Sequence, residues 1–213
     1  MLLDTGEHCP PLVRLHPGDL GLLVLEGLVL RRLEVMGRQG VELLGDGDVL
    51  RPWDGIEESP SLPSSASVKV CRPATVAVLD RDFHRTVVEY SEIVAALLER
   101  IAARSTSTIY SLALAQQPSL EGRLLCLLWH LSDRWGRVDR RGRVLDLPLQ
   151  HQTLAEMVAA RRPSVTSALR RLAERELVLP LGRSRGFRLL GAPPVEPDQD
   201  TAEVLAERPL IAR

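Results

Sequence analysis

The sequence predicts an α+β chain in which a jelly roll of short strands is followed by one long helix and then by a pair of short helices with a hairpin behind them. Three observations carry this. From Val13 to about Leu79 short apolar runs are punctuated by glycine at regular intervals. Asp82 to Gln117 contains neither Pro nor Gly and repeats its apolar residues at helical spacing. Gln152 to Val178 reads as two short amphipathic helices joined by a tight turn. With 213 residues, 45% of them hydrophobic, the chain can bury two modest cores.

In the first region the strand-like runs are LLVLEGLVLRRLEV, VELL, DVLRP, SVKVC and ATVAVLD, with turns at His16-Pro17-Gly18-Asp19, Gly37 to Gly40 and Gly45-Asp46-Gly47-Asp48. Regular short strands with glycine corners point to a double-sheet jelly roll, not a parallel sheet. In the second region Val87, Val94, Ile101 and Thr108 recur every seven residues, with Leu97, Leu98 and Leu112 beside them and Arg104 and Ser105 interrupting the stripe. A helix of about 30 residues is ~45 Å long. Such an amphipathic rod needs a partner for its apolar side, which its own roll or another chain can supply.

Pro118 stops this helix, and Ser119 is placed to cap the next, whose core face is Leu120, Leu124, Leu127, Leu128 and Leu131. RVDRRGRVLDLPL reads as a β-hairpin around Arg140-Arg141-Gly142. In the helix pair, Leu154, Val158, Ala160, Val165, Ala168 and Leu172 share one side, and small Ala155 and Ala159 sit where the helices approach most closely. Pro163 suits a first helical turn, because its missing N–H has no intrahelical partner there. The opposite face carries Arg161, Arg162, Ser164, Thr166, Ser167, Arg170 and Arg171, which can bond phosphates and base edges but form no core. That is the pattern of a DNA recognition helix.

Charge supports the same end of the chain. The net charge of −1 hides a segregation: residues 1–118 carry 11 basic and 16 acidic groups, residues 119–191 carry 14 arginines against 7 acids, and residues 192–213 carry 2 against 5. Positive charge therefore gathers where the helix pair lies, as counterion release on a polyanion requires. Arginine outnumbers lysine 26 to 1, a bias that a GC-rich genome explains as well as function does.

Gln152 to Val178 resembles the helix-turn-helix of the catabolite activator / fumarate-nitrate regulator family of bacterial transcription factors, with Gly186 to Leu190 as the second strand of a wing. VLEGLV and LLGDGDVL resemble the β-roll of cyclic-nucleotide-binding domains. The resemblance implies four segments: a β-roll over 1–82, a dimerisation helix over 83–118, a winged helix-turn-helix over 119–191 and an acidic flexible tail over 192–213, with a short helix possible at Thr201 to Arg208. It implies a homodimer joined through a coiled coil of Val87, Val94, Leu97, Ile101, Thr108 and Leu112. Arg162 matches the family position whose arginine reads guanine, while Pro163 and Ser167 replace the other two base readers, so the operator differs from the activator's own. Gln150, His151 and Gln152 at the start of the first helix, and Arg183 and Arg185 in the wing turn, are placed to hold phosphates.

The effector site departs from the family pattern. Cyclic-AMP-binding members carry Gly-Glu and Arg-Ser-Ala at the two ends of a phosphate cassette; here Trp53-Asp54 and Ser64-Ser65-Ala66 stand in those slots. Asp54 can still accept from a ribose hydroxyl and Ser65 can touch a phosphate, but Ser64 replaces the cation. Losing that charge-assisted contact removes roughly 1.5–3 kcal/mol. Thr108 falls where the family's central helix reaches the adenine, followed by Ile109 in place of a hydroxyl residue. Cyclic AMP is therefore not expected to bind, no cofactor is expected, and the roll serves either as a packing module or as the sensor of another effector. Cys9, Cys71 and Cys126 are scattered, without a C-x-x-C pair, which argues against a metal or an iron–sulfur cluster.

No stretch of 18 or more apolar residues and no signal-peptide pattern is present, so a cytoplasmic location away from membranes is expected. H-E-x-x-H, P-loop and G-x-S-x-G motifs are absent, which argues against an enzyme. The expected function is sequence-specific regulation of transcription on double-stranded DNA, with RNA polymerase as a further partner. The competing reading is a cyclic-nucleotide-fold interaction module that has lost specific DNA binding.

Overall fold

The computed structural model describes residues 1–6, 19–51, 61–182 and 186–194. Its N-terminal part is a single antiparallel sheet among these residues. Strands β1 (Leu2–Leu3), β5 (Ser64–Leu79), β2 (Gly21–Val35) and β3 (Arg38–Leu44) lie in that order, and β4 (Val49–Leu50) pairs with β2. Where two hydrogen-bonded sheets were expected, two long strands bend instead. SVKVC and ATVAVLD are one strand, β5, running through Pro73. The bend lies at Gly27, whose φ of +114° brings it so close to β5 that a Cβ would stand 2.4 Å from the Pro73 carbonyl oxygen. The β2–β5 register shifts between Val24 and Val29, so Pro73 falls in a bulged stretch where its missing N–H interrupts no regular ladder.

Bending lets both halves of β2 reach one interior: Leu22, Val24 and Val29 pack with Leu44, Leu50, Val68, Val70 and Val76. The other side of β2 is covered as well. Leu28 and Leu30, with Leu43 of β3, join the core of the C-terminal domain.

The long helix is interrupted. Where one helix was expected from Asp82 to Gln117, the chain forms α1 (Arg81–Val87), capped by Asp80, and α2 (Ser91–Ala115). Glu89 and Tyr90 donate to Thr86 and Val87 carbonyls in tight turns, and Tyr90 leaves helical geometry at φ −118°, ψ 84°. Two causes are at hand: the β-branched pair Val87-Val88 is a poor helix former, and Val87 is buried in the chain. α2, by contrast, buries no residue fully. Val94, Leu97, Arg104, Ser107 and Ser111 make its half-buried side. Arg104, read in the sequence as a flaw in the apolar stripe, is its anchor: Nε and Nη2 donate to Glu42 at 2.6 and 2.8 Å, and Nη1 donates to the Val49 carbonyl at 2.8 Å.

The C-terminal domain begins at α3 (Leu120–Trp135), capped by Ser119 Oγ accepting from Gly122 N–H. β6 (Gly136–Asp139) and β7 (Gly142–Leu145) form the hairpin around Arg140-Arg141, followed by α4 (His151–Met157), α5 (Arg162–Glu174), β8 (Val178–Leu181) and β9 (Gly186–Leu189). The four strands make a second sheet in the order β6-β7-β9-β8. α4 packs against β3, and Arg32 Nε of β2 donates to Glu156 Oε2 of α4 at 2.8 Å. Among the described residues no helix is long and apolar enough to cross a membrane.

Candidate nucleic-acid interface

The helix pair is built by alternation of size and polarity. Leu154, Ala155 and Val158 of the first helix and its end meet Val165, Ala168, Leu169 and Leu172 of α5, all buried. Between them the chain reverses at Ala159, where φ is +51°, and Ala160 N–H donates to the Ala155 carbonyl at 2.8 Å. Ala159 is thus an exposed turn residue, where close helix packing was expected; Ala155 alone makes that approach. Ala160 is only half-buried, and Leu169 completes the apolar face in its place. Arg161 occupies the cap position of α5 without a side-chain cap bond, and Pro163 lies in its first turn.

Arg161, Arg162, Ser164, Thr166, Ser167 and Arg170 are all exposed. Arg161 and Arg162 have no carboxylate partner among the described residues. Arg170 makes only a surface pair with Glu174 at 3.5 Å, which is worth little and is readily exchanged. Arg171 differs: its Nε donates to Glu121 Oε1 of α3 at 2.5 Å. The Glu121 carboxyl is held below its usual range by its own backbone N–H and by that guanidinium. Arg171 therefore braces the domain from outside the exposed face.

Around the start of α5 lies a cleft of about 480 Å³ walled by Gln150, His151, Gln152 and Arg162 on one side and by Pro180, Gly182 and Phe187 of the β8–β9 hairpin on the other. His151 Nδ1 and Thr166 Oγ1 are 2.9 Å apart, so the two helix starts are held together by a polar contact. Gln152 Nε2 donates to Glu156. Arg183 and Arg185 lie outside the described residues. The hairpin is steadied by Arg188, which donates to Asp139 Oδ1 at 2.5 Å and, with the Arg141 N–H, holds that carboxyl below its usual range. The sequence reading missed the cleft walls Pro180 and Phe187; the alternation of Val178 to Leu189 about the turn was the available signal.

The other sequence-derived sites are scattered. Ser64 and Ser65 begin β5, paired with Val35 and Glu34, while Trp53 and Asp54 lie outside the described residues. Thr108 is exposed on α2, its hydroxyl donating to the Arg104 carbonyl, and it lines a different cleft between β3, α2 and α3. Ser64 and Ser65 do not line that cleft. Of the residues expected along a dimer seam, Ile101, Thr108 and Leu112 are exposed on α2, whereas Val94 and Leu97 are half-buried on its other side. Val87 is a correction: it is 5% exposed and lies in α1, beyond the break. The exposed apolar side of α2 is Leu98, Ile101, Ile109 and Leu112, at 62, 46, 68 and 63%. Cys71 and Cys126 are free thiols, and burial pushes the Cys71 thiol up. Among the described residues no His/Cys/Asp/Glu group is arranged to hold a metal ion.

Residues 122–191 match the model of the Crp-like helix-turn-helix domain. No curated protein sequence matches the chain. Solved structures resemble nearly all of it. A CRP-family transcriptional regulator from Thermus thermophilus is 21% identical, with 90% of this chain and 92% of that one covered and a TM-score of 0.63. The c-di-GMP-responsive global regulator of Xanthomonas campestris is 18% identical over 90% and 93%, at 0.64. A cyclic-nucleotide-binding-domain protein from Listeria monocytogenes is 20% identical over 88% and 87%, at 0.66. These likenesses carry the fold of the whole chain. With its Crp-like domain at residues 122–191 and that shared architecture ahead of it, the chain belongs to the catabolite activator / fumarate-nitrate regulator family.

Proposed function

We propose that the chain regulates transcription by binding a roughly palindromic DNA operator as a homodimer, without control by cyclic AMP. One observation carries the reading: the start of α5 stands clear of the protein, with Arg161 and Arg162 unpaired among the described residues over a fully apolar inner face. A major groove about 12 Å wide admits such a helix, and an arginine at its start can bond guanine O6 and N7 together, worth ~1–3 kcal/mol of discrimination. Arg170, one side of the helix away, meets the backbone. Gln150, His151 and Gln152 border the same cleft and suit phosphate oxygens. A twofold dimer through α2 would set two such helices about 34 Å apart, one helical turn of DNA. RNA polymerase is the natural further partner of a regulator so placed. Independence from cyclic AMP is supported by Ser64, which stands where the family's cassette has its arginine.

The test is a mobility shift on genomic fragments at several salt concentrations. Arg162→Ala is expected to relax sequence preference at one operator position. Arg170→Ala is expected to weaken binding on all sequences alike and to lower the salt slope by about one unit. Unchanged affinity and preference in both variants would overturn the docking. Stabilisation of the protein by cyclic AMP in a thermal shift would overturn the second part.

A further inference from the structure

A second cleft, of about 640 Å³, opens where β3 and the turn before β4 face α2 and α3. Its size lies within the range of small-molecule sites, roughly 300–1,000 Å³. Its charge is unbalanced. Each carboxylate in its walls already holds an arginine: Glu42 holds Arg104 at 2.6 Å and Arg31 at 3.6 Å, Asp48 holds Arg134 at 2.8 Å, and Asp133 holds Arg143. Arg100 has no such partner among the described residues. Its guanidinium lies over the Gly47 backbone, so close that a Cβ there would stand 2.4 Å from Nη1. Five arginines thus meet three carboxylates, and the surplus cation lies in the cleft wall.

The opposite wall is aromatic. Tyr110 stacks on His130, with ring centroids 4.9 Å apart at 20°, and His130 is pinned by Ser107 Oγ at 3.3 Å. Tyr110 is nevertheless 55% exposed, so the ring face away from His130 is open. The exposed apolar residues of α2, Leu98, Ile101, Ile109 and Leu112, do not line the cleft, and pairing through them would leave it open.

We propose that this cleft binds a small anion carried on a flat ring. The anion, a carboxylate or a phosphate, would pair with Arg100, and the ring would lie on Tyr110. Such a ligand would touch the roll, α2 and α3 at once, which is where a signal could shift the DNA-reading helices. That consequence rests on the function proposed above; the binding site itself does not.

Titration calorimetry on the full chain, without DNA, separates the two. The probes are adenosine 5′-monophosphate and 2-naphthoate, with inorganic phosphate and adenosine as half-ligands. At least one ring-bearing anion is expected to bind with Kd below about 1 mM and more tightly than either half-ligand. Arg100→Gln is expected to weaken it at least about tenfold, as loss of a charge-assisted bond does, and Tyr110→Leu to weaken it too. Ser65→Ala is expected to leave it unchanged. Arg100 is exposed, so an unchanged thermal melt of Arg100→Gln checks that the fold is intact. Absence of saturable binding by both probes, binding indifferent to Arg100→Gln, binding lost in Ser65→Ala, or phosphate alone binding equally well would each overturn the proposal.

Discussion

His130 shows how one side chain registers its surroundings. It is half-buried between Tyr110 and Ser107, and burial lowers its pKa below 6.5, with Asp133 pulling the other way. An unfolded chain takes up this proton more readily than the folded one, so folding loses stability as pH falls through about 6.5 and keeps it above. His130→Gln can keep a bond to Ser107 without titrating. Its melting temperature is therefore expected to fall less than that of the parent between pH 7.5 and 5.5, measured by thermal denaturation. Equal slopes would show that the imidazole is as free to ionise folded as unfolded. At the same scale, Arg104 was visible in the sequence only as a polar break in an apolar stripe. Its bonds to Glu42 and Val49 cross more than fifty residues, and no local pattern announces them.

At the scale of elements, the tight turn and the long helix make separate predictions. Ala159 holds a left-handed conformation that costs an L-residue about 1–2 kcal/mol, against the smaller entropic cost of glycine, about 0.5–1. Ala159→Gly is therefore expected to stabilise the chain by roughly 0.5–1 kcal/mol in urea denaturation. Ala159→Val, β-branched at the same φ, is expected to destabilise it. The reverse order would mean that the turn relaxes freely. For α2, the exposed Leu98 and Leu112 are the residues a coiled coil would cover. Leu98→Glu with Leu112→Glu is expected to halve the sedimenting mass and to cost operator affinity while leaving the monomer folded. A mass that stays unchanged would place any dimer contact elsewhere. The heptad of the sequence led to Val87 and Val94, one side away from the exposed stripe, because spacing gives a helix face but does not say whether the chain's own roll or a partner takes it.

For the whole molecule, the decisive feature is that the roll and the C-terminal domain share a core. Leu28, Leu30 and Leu43 are buried among α3, α4 and α5 residues, and Arg32–Glu156 closes the seam with Glu156 only 9% exposed at its side chain. Leu43→Ala is expected to cost roughly 2–5 kcal/mol and to lower a single melting transition seen by both tryptophan fluorescence and circular dichroism. Two separated transitions would mean that the domains fold independently. Removing Arg32 leaves the Glu156 carboxylate without its guanidinium, so Arg32→Ala is expected to destabilise more than the double variant with Glu156→Gln, measured in a double-mutant cycle.

By itself the sequence determined the order of elements, the Ser119 cap, the hairpin at Arg140-Arg141, and the inward and outward faces of α5, because each depends on residues within a few positions of one another. Only the tertiary structure decided that Leu28-Val29-Leu30 is buried on both sides, that the long helix parts at Val88 to Tyr90, and that Arg100 and Tyr110 face one cleft with the roll. These depend on which distant surfaces meet, and period and composition carry no record of that.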